Sequence, residues 1–176
     1  MISKILRTAG NFKAVVEYAT AKNKKFEVML SNGVREYSAG KTIADFRTQA
    51  EMNKRIKRCV FHTVISHYPG DTKKIEGKET EILSAYLKKL KEKGFDFWIT
   101  QFIIYKHNDK NHHHYHCVAN YVNNDFKRLI DSNIGIKAKV ASKELTKEFG
   151  LTPAIKPEKR LANQLKNTKR SYGARM

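Results

Sequence analysis

Two apolar segments that lie close together in the sequence constrain the fold of this chain more than any other feature. The first, FDFWITQFIIYKH (95–107), is rich in aromatic and β-branched residues, which favour strands. The second, HHHYHCVANYV (112–122), alternates strictly between two sets of side chains, as a strand does. Only NDKN (108–111) separates them, and Asn and Asp favour tight turns. The sequence therefore predicts an antiparallel hairpin.

The remaining segments alternate between predicted strands and predicted helices. Three further strands are expected, in ISKIL (2–6), FEVMLSNG (26–33) and CVFHTVIS (59–66). Helical patterns occupy residues 11–25 with Asn11 as N-cap, 42–57, 78–94, 125–130 and 139–150. Because two successive strands form a hairpin, an α+β fold is favoured over a doubly wound parallel sheet. The expected architecture is a central antiparallel sheet of about five strands flanked by helices.

The charge of the chain points to a polyanionic partner. The chain carries a formal net charge of +18, and such a field attracts polyanions. Its 176 residues, 40% of them hydrophobic, are enough to form one domain with a hydrophobic core. Nucleic acid is the first candidate partner and an anionic membrane the second. A membrane-surface helix would carry large apolar residues such as Trp opposite its basic face, but the single tryptophan, Trp98, lies in a strand-like segment. We therefore expect no membrane partner.

The composition changes near residue 152, which divides the chain into a predicted domain at 1–152 and a basic extension at 153–176. The extension is interpreted either as a helix that lies on DNA or as a solvated tail, and charge alone leaves both open. Its candidate DNA-binding residues are Lys156, Lys159, Arg160, Lys166, Lys169 and Arg170.

The chain has only two cysteines, Cys59 and Cys117, and they do not form a CxxC pair. Neither a signal peptide nor an apolar segment of transmembrane length is evident in the sequence. A disulfide framework is therefore not expected, and a reducing cytoplasm fits best.

The histidines of the second hairpin strand predict a metal site. Side chains alternate along a strand, so His112, His114, His116 and Asn120 share one face, while His113, Tyr115 and Cys117 share the other. The hairpin brings His107 alongside, which completes a three-imidazole site with open coordination positions. Asp109 is expected either to orient a ligand histidine or to cap the turn. A histidine-bearing surface strand is the alternative; an affinity tag would be terminal and uninterrupted.

Three motifs resemble those of relaxases, the mobilisation nucleases of the HUH endonuclease superfamily. The pattern H-x-D-x-x-H-x-H-x-H, followed by Asn120, resembles their metal motif. FKAVVEY places a tyrosine, Tyr18, in the early segment where these proteins carry their nucleophile. HTVISHYPGD supplies His62 and Ser66 of a middle motif, although the aromatic residue expected directly after the serine is replaced by a histidine. The resemblance covers about residues 2–151.

The resemblance implies roles for these residues. The metal would be held by His107, His114 and His116, with His112 as an additional candidate, and Asp109 would support catalysis. Tyr18 would be the nucleophile, although its spacing from Val15 on a helix is also that of a core aromatic residue. His62, Ser66 and Asn120 are further candidates for the site.

The implied activity is site- and strand-specific nicking of single-stranded DNA at a transfer origin, through a 5′-phosphotyrosine intermediate. It would serve conjugative mobilisation of a plasmid or integrative element. The expected cofactor is Mn²⁺ or Mg²⁺, with Zn²⁺ or Ni²⁺ able to bind in vitro because imidazole suits them. Partners would be the origin strand, an adjacent DNA hairpin and accessory relaxosome proteins. The alternatives are a replication-initiator or transposase HUH nuclease, and a basic DNA-binding protein with a structural metal.

Overall fold

The computed structural model describes residues 1–6, 10–21, 25–108 and 114–153. Its centre is a five-stranded sheet in which all paired strands are antiparallel, in the order β1-β3-β5-β4-β2. The strands are β1 (Ile2–Ile5), β2 (Phe26–Asn32), β3 (Val60–Ser66), β4 (Thr100–His107) and β5 (His114–Asn123). The helices are α1 (Phe12–Ala19), α2 (Ala39–Glu51), α3 (Thr72–Ile75), α4 (Glu79–Glu92) and α5 (Ile134–Glu148). The predicted α+β class and five-stranded sheet are confirmed.

The predicted hairpin is the centre of this sheet. Strand β5 pairs with β4 on one side and with β3 on the other, and every one of its residues is buried. The first strand of the hairpin begins at Thr100 rather than at residue 95. The carboxylate of Asp96 accepts the backbone N–H of Trp98 at 2.9 Å, which caps a turn of 3₁₀-helix over Phe97–Ile99.

Helices cover both faces of the sheet. On one face, α1 and α2 enclose a cluster in which the rings of Phe12 and Phe46 stack with their centroids 4.7 Å apart. On the other face, α4 and α5 pack on a larger cluster that includes Tyr115 and Cys117. This layering explains why the central strands read as nearly continuous apolar segments rather than as half-exposed ones.

Several helix predictions are corrected by the structure. The helix predicted at 139–150 begins five residues earlier, at Ile134, and ends at Glu148. The predicted helix at 42–57 begins earlier, at Ala39, and ends at Glu51, so that residues 52–57 form turns. The predicted helix at 125–130 is wrong. The side-chain oxygen of Asn123 accepts the backbone N–H groups of Asp125 and Lys127, at 3.0 and 2.7 Å, and so forms a turn instead.

Asn11 is the N-cap of α1, as predicted, and accepts the N–H of Ala14 at 3.4 Å, but the helix ends at Ala19 rather than at residue 25.

Within the described ranges, no helix is both long and apolar enough to cross a lipid bilayer. The predicted DNA-binding cations of the extension lie outside the described residues: Lys156, Lys159, Arg160, Lys166, Lys169 and Arg170.

The carboxylate of Asp71 joins the corner after β3 to the segment that follows α5. It is 1% exposed and accepts the backbone N–H of Thr152 at 2.7 Å and its hydroxyl at 2.9 Å. Burial by itself raises the pKa of Asp71, but the hydrogen bonds from Thr152 and the charge of Lys74 outweigh it. The pKa therefore lies below the ordinary value of 3.8.

Asp71→Asn should lower the free energy of unfolding at pH 7 by about 1–3 kcal/mol, because it removes a buried, charge-assisted hydrogen bond. Because the pKa of Asp71 is lower in the folded state than in the unfolded chain, ionised Asp71 stabilises the fold. This stabilisation is complete above about pH 5 and is lost as the pH falls and the carboxylate takes up a proton. Urea unfolding at several pH values should show the two proteins converging as the pH falls. Asp131→Asn, which removes a partly exposed pairing with Arg128, is the control. An unchanged difference from pH 7 to pH 2 would contradict the prediction.

Candidate metal centre and active site

Three histidines meet where β4 ends and β5 begins. His107 lies directly opposite His114 in the antiparallel pair, and His116 follows on the same face of β5. One ring nitrogen from each lies within 4.8 Å of the other two, and all three side chains are buried. Three neutral imidazoles at this spacing are a donor set that fits a divalent transition metal. The pairing predicted from alternation thus brings His107, His114 and His116 together.

A backbone carbonyl fixes the ring of His107. Its Nε2 lies 2.8 Å from the carbonyl oxygen of Ala19, in the last turn of α1. Because a carbonyl only accepts, Nε2 must carry the proton, and the lone pair of the neutral ring is on Nδ1. Ligand histidines commonly donate their second ring N–H in this way, which fixes the tautomer. No sequence signal could reveal this contact, since the partner is backbone.

His62 of β3 performs a similar task for His116. Its Nε2 lies 2.9 Å from Nδ1 of His116. Burial, together with a smaller effect of nearby His107, lowers the pKa of His62 to about 4, so its ring is neutral at pH 7. For Nε2 of His116 to offer a lone pair to a metal, its Nδ1 must donate to His62. The arrangement therefore suits His62 as an orienting acceptor.

Tyr18 lies beside the histidine cluster. Its ring meets that of His116 edge to face, with 5.5 Å between centroids, and the side chain is 54% exposed. Its neighbours Val16 and Ala19 are buried and attach α1 to the sheet, which leaves Tyr18 at the outer edge of the helix. Tyr18 is therefore not a core residue.

A comparison with known protein families identifies the family of the chain. A family model described as relaxase, MobA/VirD2-like, nuclease domain, matches residues 18–151, which is 134 of the 176 residues. The chain belongs to the relaxase family. No curated protein matches it, and no solved structure does. The match begins at Tyr18 and includes all three clustered histidines, and membership implies a nuclease with relaxase-type DNA nicking.

The other candidate residues of the relaxase domain have different surroundings. Ser66 ends β3, is half-buried and lies opposite His114 in the β3–β5 pair. Asn120 is fully buried: its amide donates to the carbonyl of Phe46 at 2.9 Å, and its oxygen accepts the N–H of Val122 at 3.0 Å. The bond to Phe46 attaches α2 to the sheet. Asp109 and His112 lie outside the described residues.

The extra histidine of the middle motif has a place in the packing. His67 is buried, and its ring meets that of Tyr115 edge to face at 5.7 Å. Tyr115 belongs to the cluster beneath α4 and α5, on the opposite side of the sheet from His114 and His116. The histidine that replaces the expected aromatic residue after Ser66 therefore packs on the face of the sheet that is covered by α4 and α5, away from the histidine cluster. Tyr68, the next residue, lies at the surface and is 40% exposed.

The contacts of His62 lead to a prediction about metal affinity. We expect His114→Ala to remove most Mn²⁺ binding, and His62→Ala to weaken it about 10- to 100-fold by freeing the His116 ring. His67→Ala also removes a buried histidine, but from the rear of the sheet, and should leave the affinity unchanged. Isothermal titration with Mn²⁺ measures the three affinities, and circular dichroism checks that each variant folds. Unaltered Mn²⁺ binding by a folded His62→Ala protein would show that His62 does not orient the ligand.

Proposed function

We propose that this chain nicks single-stranded DNA at a transfer origin by transesterification, with Tyr18 as nucleophile and His107, His114 and His116 as ligands of a divalent cation. One observation carries the proposal: an exposed tyrosine lies 5.5 Å, ring to ring, from a buried histidine of a three-histidine cluster. The nuclease domain is placed at residues 1–152, and the basic extension at 153–176 would contact DNA.

The reaction forms one bond and breaks another. The phenolic oxygen of Tyr18 attacks phosphorus and loses its proton, while the bond from phosphorus to the 3′ oxygen breaks. The 3′ oxygen leaves and takes up a proton, which yields a free 3′-hydroxyl and a 5′-phosphotyrosine. Because the ester bond to phosphorus is kept, the strand can later be rejoined.

The residues around Tyr18 prepare this step. A divalent cation held by His107, His114 and His116 would supply Lewis-acid stabilisation of the negative charge on the attacking oxygen. This help is needed because an ordinary phenol keeps its proton at neutral pH. The chain itself holds the ligand rings in position, through the carbonyl of Ala19 for His107 and through His62 for His116. Helix α1 supplies both Tyr18 and the Ala19 carbonyl, so that nucleophile and ligand share one rigid element.

The cofactor and partners follow from the donor set, the charge and the family. Three imidazoles favour Mn²⁺ over Mg²⁺, which prefers oxygen ligands, and Zn²⁺ or Ni²⁺ would also bind in vitro. The net charge of +18 supports an origin strand with an adjacent DNA hairpin as substrate. We place the reaction in the cytoplasm, with accessory relaxosome proteins, in the conjugative mobilisation of a plasmid or integrative element.

A second candidate function rests on the burial of the histidines. His107, His114 and His116 are 0%, 6% and 3% exposed, which is also what a structural metal site would show. In that case the chain would bind DNA without nicking it, and Tyr18 would have no chemical task.

A covalent-adduct assay tests the nucleophile. The protein is incubated with Mn²⁺, or with EDTA, and with oligonucleotides from candidate origins, and adducts are resolved on a denaturing gel. We expect an adduct with Mn²⁺ only, which disappears in Tyr18→Phe because the attacking oxygen is gone while the ring is kept. Tyr37→Phe is the matched control, since Tyr37 is 76% exposed and lies beyond the opposite end of β2.

The outcomes separate the two candidates. An adduct that survives Tyr18→Phe would assign the nucleophile to another residue. Tight binding of origin strands with no cleavage of any of them would favour the structural-metal function.

A further inference from the structure

A groove opens between the start of α1 and the turns that follow α2. Its volume is about 510 Å³, within the range of about 300–1,000 Å³ that is typical of ligand pockets. One wall is formed by Gly10, Asn11 and Phe12. The other is formed by α2 and by three residues of the segment after it, Lys54, Ile56 and Lys57. These three residues lie within the helix that the sequence predicts at 42–57, but α2 ends at Glu51 and they follow it in turns.

Backbone contacts hold the two walls of the groove together. Gly10 has a φ of +77°, and a Cβ atom added there would lie only 2.9 Å from the carbonyl oxygen of Lys57. The thiol of Cys59 donates to the carbonyl of Gly10 at 3.6 Å. The stacked rings of Phe12 and Phe46 attach α1 to α2 beneath the groove. The cavity is therefore built into the fold rather than being a gap between surface side chains.

The rim of the groove is cationic. Arg47, Lys54 and Lys57 line it and are exposed, against the single carboxylate of Glu51. In the part of the chain that the structure describes, none of these three cations takes part in an ion pair. Half-buried Ala50 and Ile56 contribute an apolar floor. Cations above an apolar floor suit a nucleotide, which has a charged phosphate and a flat apolar base.

The groove and the proposed nucleophile lie along the same side of α1. Asn11, Ala14 and Tyr18 are all exposed, and the spacings of three and four residues place them on one face of a helix. Asn11 and Tyr18 are seven positions apart, which is about 10 Å along a helix at about 1.5 Å per residue. A single strand that lies along this face can therefore reach from the groove to Tyr18 within a few nucleotides.

We infer that this groove is a subsite for single-stranded DNA, a few nucleotides from the phosphate that Tyr18 attacks. Arg47, Lys54 and Lys57 contact the phosphates, and a base or sugar lies over Ala50 and Ile56. The identity of the ligand rests on the proposed function, whereas the position of the subsite rests on the groove itself.

The test compares two variants with the same net charge. In the first, Arg47, Lys54 and Lys57 are all changed to Gln; in the second, exposed Lys88, Lys139 and Lys143, on α4 and α5 across the sheet, are changed to Gln. Binding of a fluorescein-labelled dT20 strand is measured by anisotropy over a range of salt concentrations with Mn²⁺ present. The oligonucleotide is the probe because phosphate contacts do not depend on sequence.

We expect the groove variant to bind dT20 at least about tenfold more weakly at 0.1 M salt. The slope of log K against log salt should shrink by about 0.7 for each phosphate that the protein no longer neutralises, hence by about 2 for three phosphates. The second variant should keep most of the wild-type affinity and slope. Thermal unfolding of both variants should match that of the wild type, because the substituted side chains are exposed.

Three results would overturn the inference. Equal weakening in the two variants would show that only the net charge matters, and wild-type binding by the groove variant would show that the strand lies elsewhere. Weakening for a duplex hairpin but not for dT20 would assign the groove to duplex DNA. Because the assay measures binding and not cleavage, failure to form a Tyr18 adduct would reject the proposed function while leaving the subsite in place.

Discussion

The register of three neighbouring strands is the constraint on which the rest of the site depends. Across β3, β5 and β4, Ser66, His114 and His107 form one row, and Val64, His116 and Tyr105 form the next row on the same face. A slip of one residue would turn every histidine to the opposite face of the sheet. The register is held because both faces are buried, with Val118 packed under α1 and α2 and Cys117 under α4 and α5. The same apolar side chains that form the core therefore position the three histidines of the cluster.

Helix α1 links this sheet to the proposed chemistry. It has only eight residues and caps itself through Asn11, so an isolated peptide of this length would be only marginally helical. Buried Phe12, Val16 and Ala19 hold it on the sheet. Once held there, it presents the Ala19 carbonyl to His107, the Tyr18 ring to His116 and its first residues to the cationic groove. One short element thus couples the geometry of the histidine cluster, the proposed nucleophile and the proposed path of the DNA.

Two uncharged acceptors orient the rings of the histidine cluster. The ring of His107 is held by a backbone carbonyl and that of His116 by His62. Burial lowers the pKa of His62, and only a neutral imidazole has a lone pair that can accept the N–H of His116. Burial therefore keeps His62 able to orient the His116 ring at neutral pH, and the packing of β3 and α1 on the hairpin supplies the orienting groups.

The sequence by itself determined the hairpin, the α+β class and the face on which His114 and His116 lie, because the alternation of side chains along a strand is a local property. It also brought His107 to them, since a short loop forces adjacent strands to pair. It did not determine where the second predicted helix ends, since residues 52–57 have the composition of a helix but form turns against Gly10. Only the tertiary structure decided that β3 lies beside β5, which places His62 against His116, and that α1 leaves Tyr18 exposed. Contacts between residues far apart in the sequence decide these points, and no local period encodes them.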